Sequence, residues 1–420
     1  MGQHRFKGDK VTKRQILRII FVLFGILVIL GAASLVLFIT VFDATELDIL
    51  EGEDTFYHSP SGDSPAVTNE IEEKVSIINS EETIRNEEIF GKLNNYSTVI
   101  VIQVHKHVTH LQNLLKSFQD ADDIKDVLLI FSHDFFDEEL NRLIKSIKFC
   151  RVMQIFYPHS IQIYPNVFPG MDPDDCTPNM NEQEALQKKC RNHYIDRTGK
   201  YRHPQLSQVK HHWWWKANRV FDLAKLETYD GWVLFLEEDN YVLKDFLYVL
   251  KLMKTAIKYS CRNCKVLALS SNSNNEKSSH HMGNYKVAIT NRLSNLGMAF
   301  NRELWIEITK CKYSFCFYDD HNFDLSLRNV FRTCIPNAQH LVLYASRVFR
   351  LGSCVSRYRI GKCGENVNLA KVSKLVHDST DYLFPERLHL ISKQYNLSSR
   401  SYGRWGDPRD HALCLGMTIK

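Results

Sequence analysis

No cysteine occurs in the first 149 residues of this 420-residue chain, and glycine (18) and proline (11) are scarce throughout. So little glycine and proline excludes a collagen-like or low-complexity architecture. No P-loop, G-x-S-x-G or H-E-x-x-H pattern occurs, and no G-x-G-x-x-G follows the first apolar strand. These absences remove the P-loop NTPases, the α/β-hydrolases, the zincin proteases and dinucleotide-binding enzymes of the usual fingerprint. A second C-x-x-C is missing, which weakens any four-cysteine zinc site. No repeat of solenoid period is visible. Charge is absent from Ile19 to Phe42, a run of 24 residues.

That uncharged run reads IIFVLFGILVILGAASLVLFITVF. At about 1.5 Å per residue a helix of this length spans a hydrocarbon core of about 30 Å. A cleaved signal peptide would carry a shorter apolar region followed by a small-residue cleavage site. Here Gly31-Ala32-Ala33 lies inside the run. Residues 1–18 hold six basic residues against Asp9 alone. The positive-inside rule therefore predicts a cytosolic tail (1–18), a signal-anchor (19–42) and the bulk of the chain on the luminal side. Residues 43–90 hold 14 acids and only Lys74 and Arg85, with a breaker cluster at 59–65. This composition predicts an extended stem. Ile71, Val75, Ile78 and Ile84 recur at a spacing that allows a short helix over about 69–90. The overall charge of +5 is thus a sum of a basic tail, an acidic stem and a basic body from residue 91 onward.

An oxidising lumen favours disulfides among the 11 cysteines. Cys261-Arg-Asn-Cys264 reads better as a local disulfide than as half a zinc site. The odd count leaves one thiol, and Cys150, beside an apolar segment, is the candidate for a free, buried cysteine. Asn95-Tyr-Ser and Asn396-Leu-Ser are glycosylation sequons.

Thr98–Val104, Val127–Phe131, Val152–Tyr157, Trp232–Leu236 and Val266–Leu269 are apolar, β-branched runs that predict buried strands. Helical spacing over 109–118 and 213–226 places helices between them. This alternation predicts an α/β sheet whose ligands bind beyond the carboxyl ends of the strands. The strand at 232–236 ends in Glu237-Glu238-Asp239, and such hard oxygen ligands suit Mg²⁺ or Mn²⁺ on a diphosphate. The alternative is a solvated turn. Gln208-Val-Lys-His-His-Trp-Trp-Trp-Lys216 sets three tryptophans about 100° apart on a helix, so they cannot share one face. Lys210, His211 and His212 are placed to contact phosphate or sugar hydroxyls, against a reading as core with flanking surface charge. Asp319, Asp320 and Asp324 offer a general base, or else a helix N-cap with an acid in the first turn. The terminal segment 404–414 is turn-rich and tacks the end of the chain onto the body. A metal acid with a separate carboxylate fits nucleotide-sugar glycosyl transfer.

At these residues the sequence resembles the α-1,6-mannosyl-glycoprotein β-1,2-N-acetylglucosaminyltransferase family (N-acetylglucosaminyltransferase II). The resemblance covers roughly 91–416 and rests on Phe131-Ser-His-Asp-Phe135, His211-His-Trp-Trp-Trp-Lys216, Leu236-Glu-Glu-Asp239, Tyr318-Asp-Asp320, Trp405-Gly-Asp407 and Arg409-Asp-His411. It implies a GT-A fold over 91–420, a Rossmann-like sheet, and a type II protein of the Golgi membrane. The implied reaction is inverting transfer of GlcNAc from UDP-GlcNAc, in β-1,2 linkage, to the α-1,6-arm mannose of N-glycans, with Mn²⁺. Asp324 is then the base and Asp239 the metal acid. Gln103, Val104, His105, Lys106, His107, Asp134, Gln208, Val209, Lys210, His211 and His212 contact the donor. The implied disulfides are Cys176–Cys190, Cys261–Cys264, Cys311–Cys334, Cys316–Cys414 and Cys354–Cys363. Implied partners are the donor, a mannose-terminated glycan on glycoproteins and membrane lipid through the anchor. No nucleic acid is implied, and a homo-oligomer is left open. The chain departs from the family at three places. Arg350 stands where the family has a metal-ligating His, His107 where it has a donor-contacting Arg, and Phe323 where it has a Trp. These departures keep two rivals in view: a transferase of altered acceptor, and a weakly active glycan-binding paralogue.

Overall fold

The computed structural model describes residues 65–94, 96–271, 285–351, 383–395 and 404–418, with a few single residues between 370 and 380. The expected anchor, most of the stem, both sequons (Asn95, Asn396) and the Cys354–Cys363 pair lie outside the described residues. Among the described residues no helix is long and apolar enough to cross a membrane.

The expected β-α-β alternation is present. Strands β1 (Thr98–Val104), β2 (Val127–His133) and β3 (Arg151–Phe156) run parallel, as does β4 (Val233–Glu237) beside β1. With β6 (Cys264–Ala268), β7 (Lys286–Thr290), β8 (Met298–Phe300), β9 (Gln339–Leu343) and β11 (His389–Ser392) they form one nine-stranded sheet. Its order is β11-β7-β9-β6-β8-β4-β1-β2-β3, and β8, β7 and β11 run against the rest. A separate two-stranded antiparallel ribbon pairs β5 (Asn240–Val242) with β10 (Val348–Arg350). These short strands escape sequence pattern, because three residues do not establish a period.

Alternation along β1 divides the core. Val99 and Val101 face one apolar layer and Ile100, Ile102 and Val104 the other. The second layer is covered by α1 (Val108–Gln119), α2 (Glu138–Lys145) and α4 (Phe246–Ser260). The first is covered by α3 (Pro204–Asp222), whose Trp213, Trp214 and Trp215 are all buried in it. The three rings diverge around the helix, as expected, yet none is left to line a cleft. The helix lies deep enough for partners to meet it on several sides, with Trp214 stacked on Phe315 (centroids 4.2 Å) and Trp213 on Phe323 (4.7 Å).

Part of the segment expected as a spacer belongs to this body. Pro65–Glu81 is helical, and Val75 is buried with Phe156 and Ile163. Asn79 exchanges two hydrogen bonds with the backbone of Phe156, at 2.7 and 2.8 Å. Arg85 bridges Val152. The apolar recurrence at 71, 75 and 78 outweighed the acidic composition.

Candidate active site at the carboxyl ends of β1, β2 and β4

The chain proceeds outward through β1, β2 and β3, then returns to place β4 on the other side of β1. Strand order reverses there, which opens a crevice at the carboxyl ends of β1 and β4. The register sets Gln103 beside Glu237 on one side and Ser132 on the other. The loop after β1 (His105–His107), Asp134 after β2 and the acids after β4 therefore meet at one edge.

The acids are not a solvated turn. The side chains of Glu237, Glu238 and Asp239 are only 12%, 8% and 17% exposed. Asn240 closes the turn, accepting from the Glu237 N–H (3.0 Å) and donating to Asp239 Oδ1 (2.9 Å). Glu238 turns toward β1. It accepts the His105 N–H at 2.7 Å, and its other oxygen lies 2.6 Å from His107 Nδ1. Glu237 and Asp239 turn toward β10. Arg350, register-paired with Asn240, sets Nη2 at 2.8 Å from Glu237 and Nε at 3.4 Å from Asp239.

Asp134 is buried beneath the same edge. It holds His105 Nδ1 at 2.6 Å, accepts from Gln208 Nε2 at 3.2 Å and lies 3.6 Å from His212 Nδ1. Burial opposes its charge, but the flanking His105 and His212 hold it well below the usual carboxylate range. Burial likewise opposes the His105 imidazolium, and Asp134 prevails, raising His105 above its ordinary value. His212 Nε2 meets Ser132 Oγ at 2.8 Å. The Ser132–His212–Asp134 array resembles a nucleophilic triad, but Ser132 and His212 are wholly buried and no substrate reaches them. Lys106 stands over the Phe135 ring at 3.8 Å.

The other predicted donor contacts sort by depth. Gln103 and Val104 are buried, and Gln103 accepts from Lys216 Nζ at 2.8 Å. Lys216 is a buried strut between α3 and β1. Gln208 also braces the Ile161 N–H at 2.6 Å, and Val209 is half-buried on α3. Lys210 is buried and donates to the carbonyls of Cys316 and Asp319. His211 faces Asp410 at 4.0 Å, and burial lowers its basicity, to about 4. Lys210 thus supports the loop before Asp324, and His211 lies against the C-terminal segment at Asp410.

That loop leads into α7 (Phe323–Thr333), with α5 (Arg302–Lys310) and α6 (Lys312–Cys316) before it. The N-cap position is Asn322, not Asp319 or Asp320. Asp319 instead accepts the N–H groups of His321 (3.1 Å) and Asn322 (2.8 Å). Asp320 binds the Gly406 N–H at 2.7 Å and faces His411 Nε2 at 2.9 Å. Asp324 occupies the first helical turn, 24% exposed and 3.2 Å from Arg328. Burial raises its pKa above the usual carboxylate value against the pull of Arg328, and nearby Asp319 and Glu237 add to the rise. Glu237 thereby ties Asp324 electrostatically to the strand-end acids.

Four expected disulfides are present: Cys176–Cys190, Cys261–Cys264, Cys311–Cys334 and Cys316–Cys414. Cys150 is free and buried, its thiol pushed up to about 12 by burial, which makes it inert. The terminal segment read as turn-rich contains a helix, α8 (Pro408–Gly416), locked to α6 by the Cys316–Cys414 bond.

A parallel-rich α/β sheet with acids at its switch point, and an aspartate of raised basicity within electrostatic reach of Glu237, suits an enzyme of the group-transfer class. Residues 72–414 match the family described as N-acetylglucosaminyltransferase II (MGAT2). Proteins named alpha-1,6-mannosyl-glycoprotein 2-beta-N-acetylglucosaminyltransferase are similar over most of their length. That of Rattus norvegicus is 38% identical over 80% of this chain and 78% of its own, and that of Homo sapiens 38% over 84% and 81%. The Arabidopsis thaliana protein is 30% identical over 79% and 77%. The chain belongs to the N-acetylglucosaminyltransferase II family and is a glycosyltransferase.

Proposed function

We propose that this chain transfers GlcNAc from UDP-GlcNAc to the α-1,6-arm mannose of N-glycans, in β-1,2 linkage and with inversion, on a GT-A type fold. The observation that carries the reading is Asp324, a half-buried carboxylate of raised pKa in electrostatic reach of Glu237. The acceptor hydroxyl attacks the anomeric carbon as the bond to the diphosphate oxygen breaks. Asp324 takes the hydroxyl proton, and UDP leaves with the electron pair. His105, Lys106 and His107 form the accessible rim on the donor side, while Gln103, Asp134, Gln208 and His212 hold that rim from beneath. Membership of the family and the uncharged run at 19–42 support a type II protein of the Golgi membrane.

Mn²⁺ is the metal that the family resemblance implies, and the residues as paired do not fit it. Arg350 occupies Glu237 and Asp239, and Glu238 is engaged by the loop after β1. Among the described residues no three His, Cys, Asp or Glu side chains gather as a metal site.

The test is UDP release by full-length protein in detergent, given UDP-GlcNAc and a mannose-terminated biantennary acceptor, with the product linkage read by NMR. A new β-1,2 linkage on the α-1,6 arm is expected. Folded protein that shows no turnover in Mn²⁺, in Mg²⁺ or in chelator refutes the reading.

A further inference from the structure

Helix α3 serves the crevice on two of its faces. Gln208 and His212, one helical turn apart, face Asp134 below the donor-side rim. Lys210 lies about 200° round the helix from Gln208, so its side chain leaves on another face. It is 1% exposed, and its ammonium donates to the carbonyls of Cys316, at 3.1 Å, and of Asp319. Ser326 Oγ, near the start of α7, donates to the same Asp319 carbonyl at 3.2 Å. The Asp319 carboxylate in turn accepts the N–H groups of His321 and Asn322, and Asn322 is the N-cap position of α7. Asp319 is thus gripped at its carbonyl by α3 and α7, and at its carboxylate by the turn that starts α7. Asp324 follows that cap by two residues. An apolar side chain of similar length would fill this place without the cost of burying an ammonium. What Lys210 supplies beyond filling is its pair of bonds to the loop ahead of Asp324.

We infer that Lys210 is a positioning residue for the transfer step: through Asp319 it fixes the loop that sets Asp324, and so fixes the base relative to the donor floor carried by the same helix. This rests on the reading of Asp324 as the base. Lys210 then does not touch the donor, the part that the family resemblance gives it, because a side chain so deeply buried presents nothing to a nucleotide. Its effect on rate comes from placement. A displacement of about 1 Å between reacting groups can cost about a hundredfold.

The experiment compares GlcNAc transfer with UDP affinity by calorimetry, on full-length protein in detergent and in the buffer that supports turnover. The variants are Lys210→Met, Lys210→Gln and Ser326→Ala, each alone and combined with Asp324→Asn. Lys210→Met should lower kcat by about tenfold to a hundredfold and leave UDP affinity unchanged. Lys210→Gln, which keeps N–H donors, and Ser326→Ala, which removes the second grip on the Asp319 carbonyl, should each lose less. In the Asp324→Asn background Lys210→Met should cause no further loss, since a base that is absent cannot be misplaced. Where Lys210→Met fails to fold, Lys210→Gln and Ser326→Ala carry the same comparison. Wild-type kcat in the Lys210 variants overturns the inference. UDP affinity that falls together with kcat overturns it in favour of a donor contact. A loss that persists in the Asp324→Asn background overturns it in favour of a general structural role. Unaltered turnover in Asp324→Asn alone overturns the base reading, and the inference with it.

Discussion

Arg202 and Asp410 meet in a buried bidentate ion pair, at 2.8 and 2.9 Å, across 208 residues of sequence. Ser207 Oγ and Trp405 Nε1 complete the shell of Asp410, at 3.0 and 3.2 Å. Burial opposes the Asp410 charge, and Arg202 overcomes it, lowering the carboxyl below its ordinary range. A depressed carboxylate stabilises the fold above its unfolded pKa of about 3.9, and that contribution is lost as pH falls through the folded value. Asp410→Asn would leave the guanidinium buried beside a neutral amide. The expected cost is about 3–5 kcal/mol, as for a broken buried pair. Chemical denaturation at pH 7 measures it, and a loss under about 1 kcal/mol, the size of an exposed pair, would contradict this role.

Asp324 has the opposite sign. Burial raises its folded pKa, so the fold binds its proton more tightly than the unfolded chain does. Stability then falls as pH rises from about 3.9 through the folded pKa. Asp324→Asn removes that burden, so at pH 7 the melting temperature should hold or rise. Catalysis should drop by about 10²–10⁴ if Asp324 is the base, with UDP affinity unchanged. An acid limb in kcat/KM above the ordinary aspartate range should vanish in the variant. Unaltered turnover would remove Asp324 from the reaction.

The His105–Asp134 pair makes a prediction about pH. Asp134 raises the folded pKa of His105. The stability this supplies is complete below the unfolded pKa of about 6.5 and is lost as pH rises through the folded value. The Asp134 share is depressed in pKa and is lost only in acid, below about 3.9. Unfolding free energies of wild type and His105→Asn should therefore differ most between about pH 4 and 6.5 and converge at higher pH. NMR titration of the His105 ring gives the same answer directly, as a midpoint above 6.5.

Much of this was legible in the sequence. The five apolar runs gave strands because β-branched residues over four to seven positions carry their own signal. The acids after β4 were legible because they interrupt such a run at its carboxyl end. What pairing does to a side chain was not. Lys210 read as ligand-facing charge and Lys216 had no assigned role, since nothing local marks a lysine that is buried by distant chain. Their partners, Gln103 and the Cys316 and Asp319 carbonyls, lie more than 100 residues away in sequence. Arg350 could be aligned with a family position, but its grip on Glu237 and Asp239 depends on β10, a strand of three residues with no periodic signature. The helix at 65–81 was foreshadowed by its apolar spacing, but its packing on Phe156 and Ile163 was not, because acidic composition marked the segment as a spacer.

Gly297 controls that short strand from below. It has φ +64°, a conformation that glycine adopts freely and other residues resist. A Cβ there would lie 2.7 Å from Val348 Cγ2 and 3.0 Å from Leu269 Cβ. Val348 opens β10, two residues before Arg350, so the clash is directed at the ribbon that carries the guanidinium. Gly297→Ala should cost about 1–3 kcal/mol through backbone strain and crowding. It should also weaken UDP binding, because a displaced ribbon withdraws Arg350 and leaves the Glu237 and Asp239 carboxylates without that cation at the crevice. Gly416→Ala is the control, since a Cβ at that helix end meets nothing within 4 Å. If Gly297→Ala lowers stability while UDP affinity stays at the wild-type value, the ribbon does not set the position of Arg350.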